Sequence, residues 1–223
     1  MSTAIRPKAR GARSSLVVHS LWAITLAGFG LLLFAPNALA HHPLAGRLPA
    51  NFFEGFMSGV AHPVIGVDHF VFVIAVGLIS ALMRQGVMIP IAFVIAGLAG
   101  TGMHLQRLDL PAPEFFISAS VLLFGVLLAL KRHPNWQIVA GLAAVAGIFH
   151  GYAYGEAIVG ADMTPMVAYL SGFTVIQLGV ALGARAIGRR MLKGHQMPEL
   201  PLRFSGFAIC GFGAAFLSAL ILG

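Results

Sequence analysis

Two imidazoles and one carboxylate lie within eight residues of an otherwise apolar part of this sequence. The stretch at positions 62–69 reads HPVIGVDH. Ionisable side chains inside a membrane are costly, by about 2.5–3.5 kcal/mol each on insertion scales, so they need a partner such as a cation or a proton. Imidazole and carboxylate together suit a divalent first-row transition metal. The stretch predicts a membrane protein that handles metal ions, with His62, Asp68 and His69 as ligands. A structural alternative is that His62 and Asp68 cap a broken helix.

A second polar stretch, FHGYAYGE at positions 149–156, lies in another apolar segment. Helical spacing places Tyr154 one turn after His150, and a tyrosine hydroxyl can orient an imidazole by hydrogen bonding. His150 and Glu156 are therefore candidate ligands. Each also has a structural alternative, since membrane histidines join helices and a carboxylate at the edge of a span is readily solvated.

The composition indicates a polytopic membrane protein. Of the 223 residues, 58% are hydrophobic and only 9% are charged, whereas soluble domains carry about 25% charged residues. The net charge of +7 does not indicate nucleic acid, because the basic residues lie between apolar segments. No GxxxxGK[ST] phosphate loop is present, which argues against ATP hydrolysis. A single cysteine, Cys210, leaves no disulfide or thiolate cluster within the chain.

Residues 1–40 are typical of a cleavable signal peptide. Four basic residues precede an apolar stretch at 16–35, and an Ala-x-Ala pattern ends at Ala40. We expect cleavage there, and an uncleaved anchor helix is the alternative. The mature chain, 41–223, would begin with two histidines. Its terminal amine, the next amide and a ring nitrogen can chelate a divalent cation, although an inert tail is equally consistent with the sequence. The histidines concerned are His41 and His42.

Six apolar segments follow, each near the ~20 residues needed to cross a bilayer. The first is too long for a straight span, at about 48 Å against a core of about 30 Å. Pro63 and Gly66 explain the excess, because proline removes a helical hydrogen bond and glycine tolerates a bend. The predicted fold is therefore all-α, with six transmembrane helices and the first span broken at the 62–69 stretch. The segments are 52–83, 87–105, 115–130, 136–154, 165–184 and 204–222.

The loops between these segments predict the orientation of the chain. Eight Lys and Arg residues lie on one side and two on the other, so the positive-inside rule places the mature N-terminus outside. Helical rise then puts Asp68 and His150 about 24 and 21 Å above the inner face. His104, which ends the second segment, and Glu114, which opens the third, reach the same level. Four segments thus bring ligand side chains to one depth.

The 62–69 stretch resembles the first signature of the HupE/UreJ family of nickel and cobalt permeases. Residues 149–155 are similar to the second signature, in which members often carry His-Gly-x-Ala-His-Gly-x-Glu. Here Tyr154 replaces the second histidine, and the acid comes one position early, as Glu156. The resemblance covers essentially the whole mature chain. It implies uptake of Ni²⁺ or Co²⁺ across a bacterial inner membrane, the ion being a transported substrate and not a permanently bound cofactor.

The favoured hypothesis is a secondary permease or facilitator, whose partners are a divalent metal ion and the lipid bilayer. The alternative is a membrane-embedded zinc-dependent hydrolase, which needs three fixed ligands, an open coordination position and a general acid or base. His62, His69 and His150, with Asp68 or Glu156, could formally supply these, but no HExxH motif is present. A structural accessory subunit would leave the buried acids unexplained. The sequence leaves nickel against cobalt, the coupling ion and the oligomeric state open.

Overall fold

The computed structural model describes residues 47–193 and 199–222, and its regular structure in these ranges is helical. The predicted signal peptide and the two histidines after it lie outside the described residues. A short 3₁₀ helix, Glu156–Ile158, follows the fifth helix. The seven α-helices are α1 (Phe52–Ile65), α2 (Val67–Ala81), α3 (Met88–Leu105), α4 (Pro113–Ala129), α5 (Trp136–Gly155), α6 (Met163–Met191) and α7 (Leu200–Leu222).

The first apolar segment is interrupted at Gly66. This single extended residue (φ −70°, ψ 99°) separates α1 from α2, and the two helices are bent by 81° relative to each other. Pro63 lies inside the last turn of α1 and does not end it. Any residue can adopt the φ of Gly66, so the glycine is needed for space: an added Cβ would lie 2.7 Å from Cδ2 of His69.

The apolar helices supply four candidate membrane spans, α3, α5, α6 and α7, by length and composition. The bent pair of α1 and α2 makes a fifth if it is counted as one span. The shorter apolar α4 has 17 residues and occupies the place of the predicted third span. Six spans therefore remain a prediction, while the all-helical membrane architecture agrees with the sequence.

Glycines allow the helices to pack in close groups. The helices α1 and α2 run along α6, α3 packs against α5, and α4 packs against α7. An added Cβ would overlap backbone atoms of the neighbouring helix at Gly59 beside Tyr169, and at Gly100 beside Ile148. Lipid gives little hydrophobic drive for helices to associate, so close backbone approach through small residues supplies much of the attraction.

Basic side chains close the ends of two helices on the predicted inner face. Arg189 donates from Nη2 to the Met83 carbonyl, 3.0 Å away, just beyond α2. Arg203 donates from Nε to the Ala129 carbonyl, 2.9 Å away, at the end of α4. Carbonyls at a helix C-terminus lack partners within the helix and carry partial negative charge. These arginines therefore stabilise helix ends in addition to indicating topology.

Replacing Gly100 by alanine should destabilise the protein by about 1–3 kcal/mol, because the added methyl group would overlap the Ile148 carbonyl and force α3 away from α5. Gly102→Ala is the matched control on the same helix, since no atom lies within 4 Å of the carbon it adds. Thermal unfolding in detergent should show a lower melting temperature for Gly100→Ala alone. Equal melting temperatures would contradict the close packing of these helices.

Candidate metal site

Three histidines from three helices meet near one end of the bundle, and we call them the histidine cluster. His62 lies in the last turn of α1, His69 in the first turn of α2 and His150 near the end of α5, and all three are buried. The ring centroid of His69 lies 4.9 Å from that of His150 and 6.4 Å from that of His62. In a continuous helix, residues seven positions apart would be about 10 Å apart along the axis. The break at Gly66 therefore folds the first two rings towards each other.

A hydrogen bond between Nδ1 of His69 and Nδ1 of His150, 2.8 Å long, joins α2 to α5. The second nitrogen of His150, Nε2, lies 3.0 Å from the hydroxyl of Ser120, and that hydroxyl donates to the Ile117 carbonyl. The serine has one proton and uses it on the carbonyl, so it accepts from Nε2–H of His150. Neutral His150 therefore has its lone pair on Nδ1, where it accepts from His69.

The hydroxyl of Tyr169 assigns the tautomer of His62 in the same way. It donates to the Tyr154 carbonyl, 3.0 Å away, and therefore accepts from Nδ1–H of His62, 2.8 Å away. This leaves the lone pair of neutral His62 on Nε2. The ring of Tyr154 packs against both His62 and His69, with centroid distances of 5.0 and 4.4 Å.

Asp68 brings a carboxylate to the edge of the histidine cluster. It is partly buried in the first turn of α2 and accepts the backbone N–H of His69 at 2.8 Å. The positive end of the helix dipole favours a negative charge at this position. The bond fits the predicted capping alternative, but it occupies only part of the acceptor capacity of the carboxylate, which can still bind a cation.

The spacing of the two facing nitrogens suits one metal ion. Two adjacent nitrogen ligands, each about 2.1 Å from a metal, lie about 3 Å apart, close to the 2.8 Å that separates Nδ1 of His69 from Nδ1 of His150. As folded, no three His, Cys, Asp or Glu side chains among the described residues are placed to share one ion. A cation entering here would bind the Nδ1 lone pair of each ring, with the His69 proton moving from Nδ1 to Nε2, and would draw further ligands inwards.

The remaining predicted ligands lie around this end of the bundle and outside the histidine cluster. Glu114, in the first turn of α4, and Glu156, in the 3₁₀ helix, are both exposed. His104, in the last turn of α3, is partly buried and its ring packs on Tyr152, with centroids 4.3 Å apart. The structure thus joins His62, His69 and His150 but leaves these three side chains apart.

The comparisons with known proteins identify the family. The family model described as HupE / UreJ protein matches residues 29–216, which include both polar stretches. The chain belongs to the HupE/UreJ family. Protein HupE of Rhizobium leguminosarum bv. viciae is 29% identical over 166 residues, which cover 74% of this chain and 85% of that protein. No solved structure matches. The resemblance predicted from the sequence is confirmed, and this HupE/UreJ chain is a multi-pass membrane protein.

Ser120, Tyr169 and Gln177 are among the buried polar side chains of this HupE/UreJ protein that the sequence analysis did not single out. Ser120 and Tyr169 fix the orientation of two histidines, as described above. Gln177, in the middle of α6, is 1% exposed. A polar side chain inside an apolar segment is the signal that could have revealed each of them, because such a group needs a partner in the membrane.

Ser120→Ala should weaken divalent metal binding by this HupE/UreJ protein about 10–100-fold. In this variant His150 loses the hydroxyl that accepts from Nε2–H and so keeps the lone pair on Nδ1. Ser118→Ala is the matched control. Ser118 is also buried on α4, but it lies about 200° around the helix from Ser120. Titration of the purified protein with Co²⁺, followed by its absorption spectrum, measures the affinity. Equal affinities for the two variants would contradict the assigned tautomer.

Proposed function

We propose that this protein is a secondary permease or facilitator that imports Ni²⁺ or Co²⁺ across a bacterial inner membrane. The observation that carries the proposal is the pair of facing imidazole nitrogens from His69 and His150, with Asp68 at its edge, in a member of this family. Borderline nitrogen ligands and a charge-balancing carboxylate suit these two ions. The cation is the transported substrate, and we propose neither enzymatic activity nor a resident cofactor.

The proposed capture site is the histidine cluster with Asp68, on the periplasmic side. This orientation rests on the positive-inside rule and on six spans after removal of residues 1–40. The exposed carboxylates of Glu114 and Glu156, together with His104, would raise the local cation concentration at the same end of the bundle. Two more proposed ligands, His41 and His42, would form a chelating tail at the mature N-terminus.

Membrane potential is a sufficient driving force for the proposed import. An interior-negative potential of about 100 mV contributes about 2.3 kcal/mol per charge, and hence about 4.6 kcal/mol for a divalent cation. Accumulation therefore needs no nucleotide hydrolysis. The cation would displace the proton of His69 from Nδ1 to Nε2, so both rings stay neutral ligands and binding at this pair needs no net release of a proton.

The hydrolase alternative has no support from the site or from the family. A catalytic zinc site needs three fixed protein ligands and an open position, and the described residues hold no such group of three. Of the two acids that this alternative could use for proton transfer, Glu156 is exposed, and Asp68 is partly buried and bonded to the backbone N–H of His69. We therefore propose transport alone.

Asp68→Asn and His69→Ala should each abolish metal uptake while the protein still accumulates in the membrane. The first removes the charge that offsets a divalent cation, and the second removes one facing nitrogen. Asp109→Asn, an exposed acid in the loop before α4, and His133→Ala, on the predicted inner side, are the controls and should transport normally. Uptake of radioactive nickel and cobalt into whole cells measures the effect and compares the two ions. Uptake by Asp68→Asn at the wild-type rate would contradict the proposed site.

His150→Ala should impair uptake more severely than Glu156→Gln. His150 is fully buried and bonded to His69, whereas Glu156 is exposed. We expect loss of uptake in the first variant and a decrease of about tenfold in the second, at the lower end of the 10–100-fold effect typical of groups outside the ligand set. Initial uptake rates at limiting and saturating metal separate capture from passage. A more severe defect in Glu156→Gln would show that the capture site lies at the surface.

A further inference from the structure

Gln177 is a buried polar side chain in the middle of α6. It is 1% exposed, and neither its amide oxygen nor its amide nitrogen has a hydrogen-bond partner among the described residues. A buried amide in a membrane bundle normally bonds to a neighbouring helix, because leaving it unpaired destabilises the fold. Packing alone therefore gives no reason for glutamine at this position.

The hydroxyl of Tyr154, which lies beside Gln177, is also a buried polar group. Tyr154 is 0% exposed, and its hydroxyl has no hydrogen-bond partner among the described residues. The hydroxyl and the Gln177 side chain are close enough to interact, but their geometry falls outside that of a well-formed hydrogen bond. The ring of Tyr154 meanwhile packs on His69, with centroids 4.4 Å apart. One side chain thus extends from the histidine cluster to Gln177.

Gln177 lies inward of the histidine cluster, towards the end of α6 that carries Arg189. It follows Tyr169 by eight residues, or about 12 Å along the helix. The neighbouring helices offer no polar side chain at this depth, since α2 is apolar between His69 and Ser80, and α4 is apolar after Ser120. A cation that leaves the histidines in this direction meets Gln177 and Tyr154 next.

We propose that the Gln177 amide and the Tyr154 hydroxyl form a second, weaker binding position for the transported cation, inward of the histidine cluster. This inference rests on the proposed transport function. Neutral oxygen donors hold Ni²⁺ or Co²⁺ less tightly than imidazoles do, and passage requires successive sites from which an ion can depart.

Three variants test this position. Gln177→Leu should lower uptake at least tenfold while Co²⁺ affinity at the histidines stays within about twofold of wild type. Gln177→Glu keeps an oxygen at the same place and adds a charge, so it should bind a second equivalent of Co²⁺ in an oxygen environment, visible in the absorption spectrum. Gln106→Leu removes an exposed glutamine and should change neither uptake nor binding.

Thermal stability separates this role from a structural one. Gln177→Leu replaces an unpaired amide by an apolar side chain of similar size, so its melting temperature should equal or exceed that of the wild type. A clearly lower melting temperature would indicate that Gln177 supports packing, and wild-type uptake by Gln177→Leu would show that the ion does not need it. Loss of high-affinity Co²⁺ binding in Gln177→Leu would place Gln177 in the capture site. Each of these three results overturns the second position.

Failure of the proposed transport function and failure of the second binding position give different results in the binding and uptake measurements. If the wild-type protein neither binds Co²⁺ nor transports Ni²⁺ or Co²⁺ in liposomes, both proposals are wrong. If His69→Ala abolishes uptake and Gln177→Leu does not, only the second position is wrong. His69→Ala and Gln177→Leu therefore test the two proposals separately.

Discussion

The hydrogen bond between His69 and His150 is the interaction on which the arrangement of this bundle depends. Buried imidazoles need partners, and this bond supplies one to each ring while joining α2 to α5. Through Ser120 it extends to α4, and the bond between His62 and the Tyr169 hydroxyl joins α1 to α6 in the same layer. The glycine-lined helix contacts bring backbones close, and these three hydrogen bonds join specific pairs of helices.

The same bond explains how the proposed metal site can persist in an apolar bundle before a metal ion binds. Two neutral rings that share a proton satisfy each other and carry no charge, so they avoid the cost of an ion inside the membrane. Their nitrogens are already spaced for adjacent coordination of one cation. In the proposed permease, binding therefore replaces the hydrogen bond between the rings by two bonds to the metal ion, with the His69 proton moving to Nε2.

Much of the fold was predictable from the sequence, because span lengths follow from bilayer thickness and the break follows from an apolar segment too long to be straight. The histidine-aspartate stretch was predictable because ionisable groups inside the membrane need a partner. The position of the break was only partly correct: Pro63 stays within α1, and Gly66 alone separates the helices. Glycine is needed at position 66 because the His69 ring lies where a side chain would be. The spacing of residues in the sequence does not reveal this contact.

The sequence by itself determined the family and the helical membrane architecture, and it predicted which residue types lie at the outer level of the membrane. Only the tertiary structure decided which side chains meet. His150 bonds to partners 30 and 81 positions away, and His62 to one 107 positions away, so helix packing selects them and local periodicity cannot. The same packing left the predicted ligands Glu114 and Glu156 exposed and enclosed Gln177. Depth is a one-dimensional property that residue counting recovers, whereas the direction of a side chain around its helix depends on every neighbouring helix.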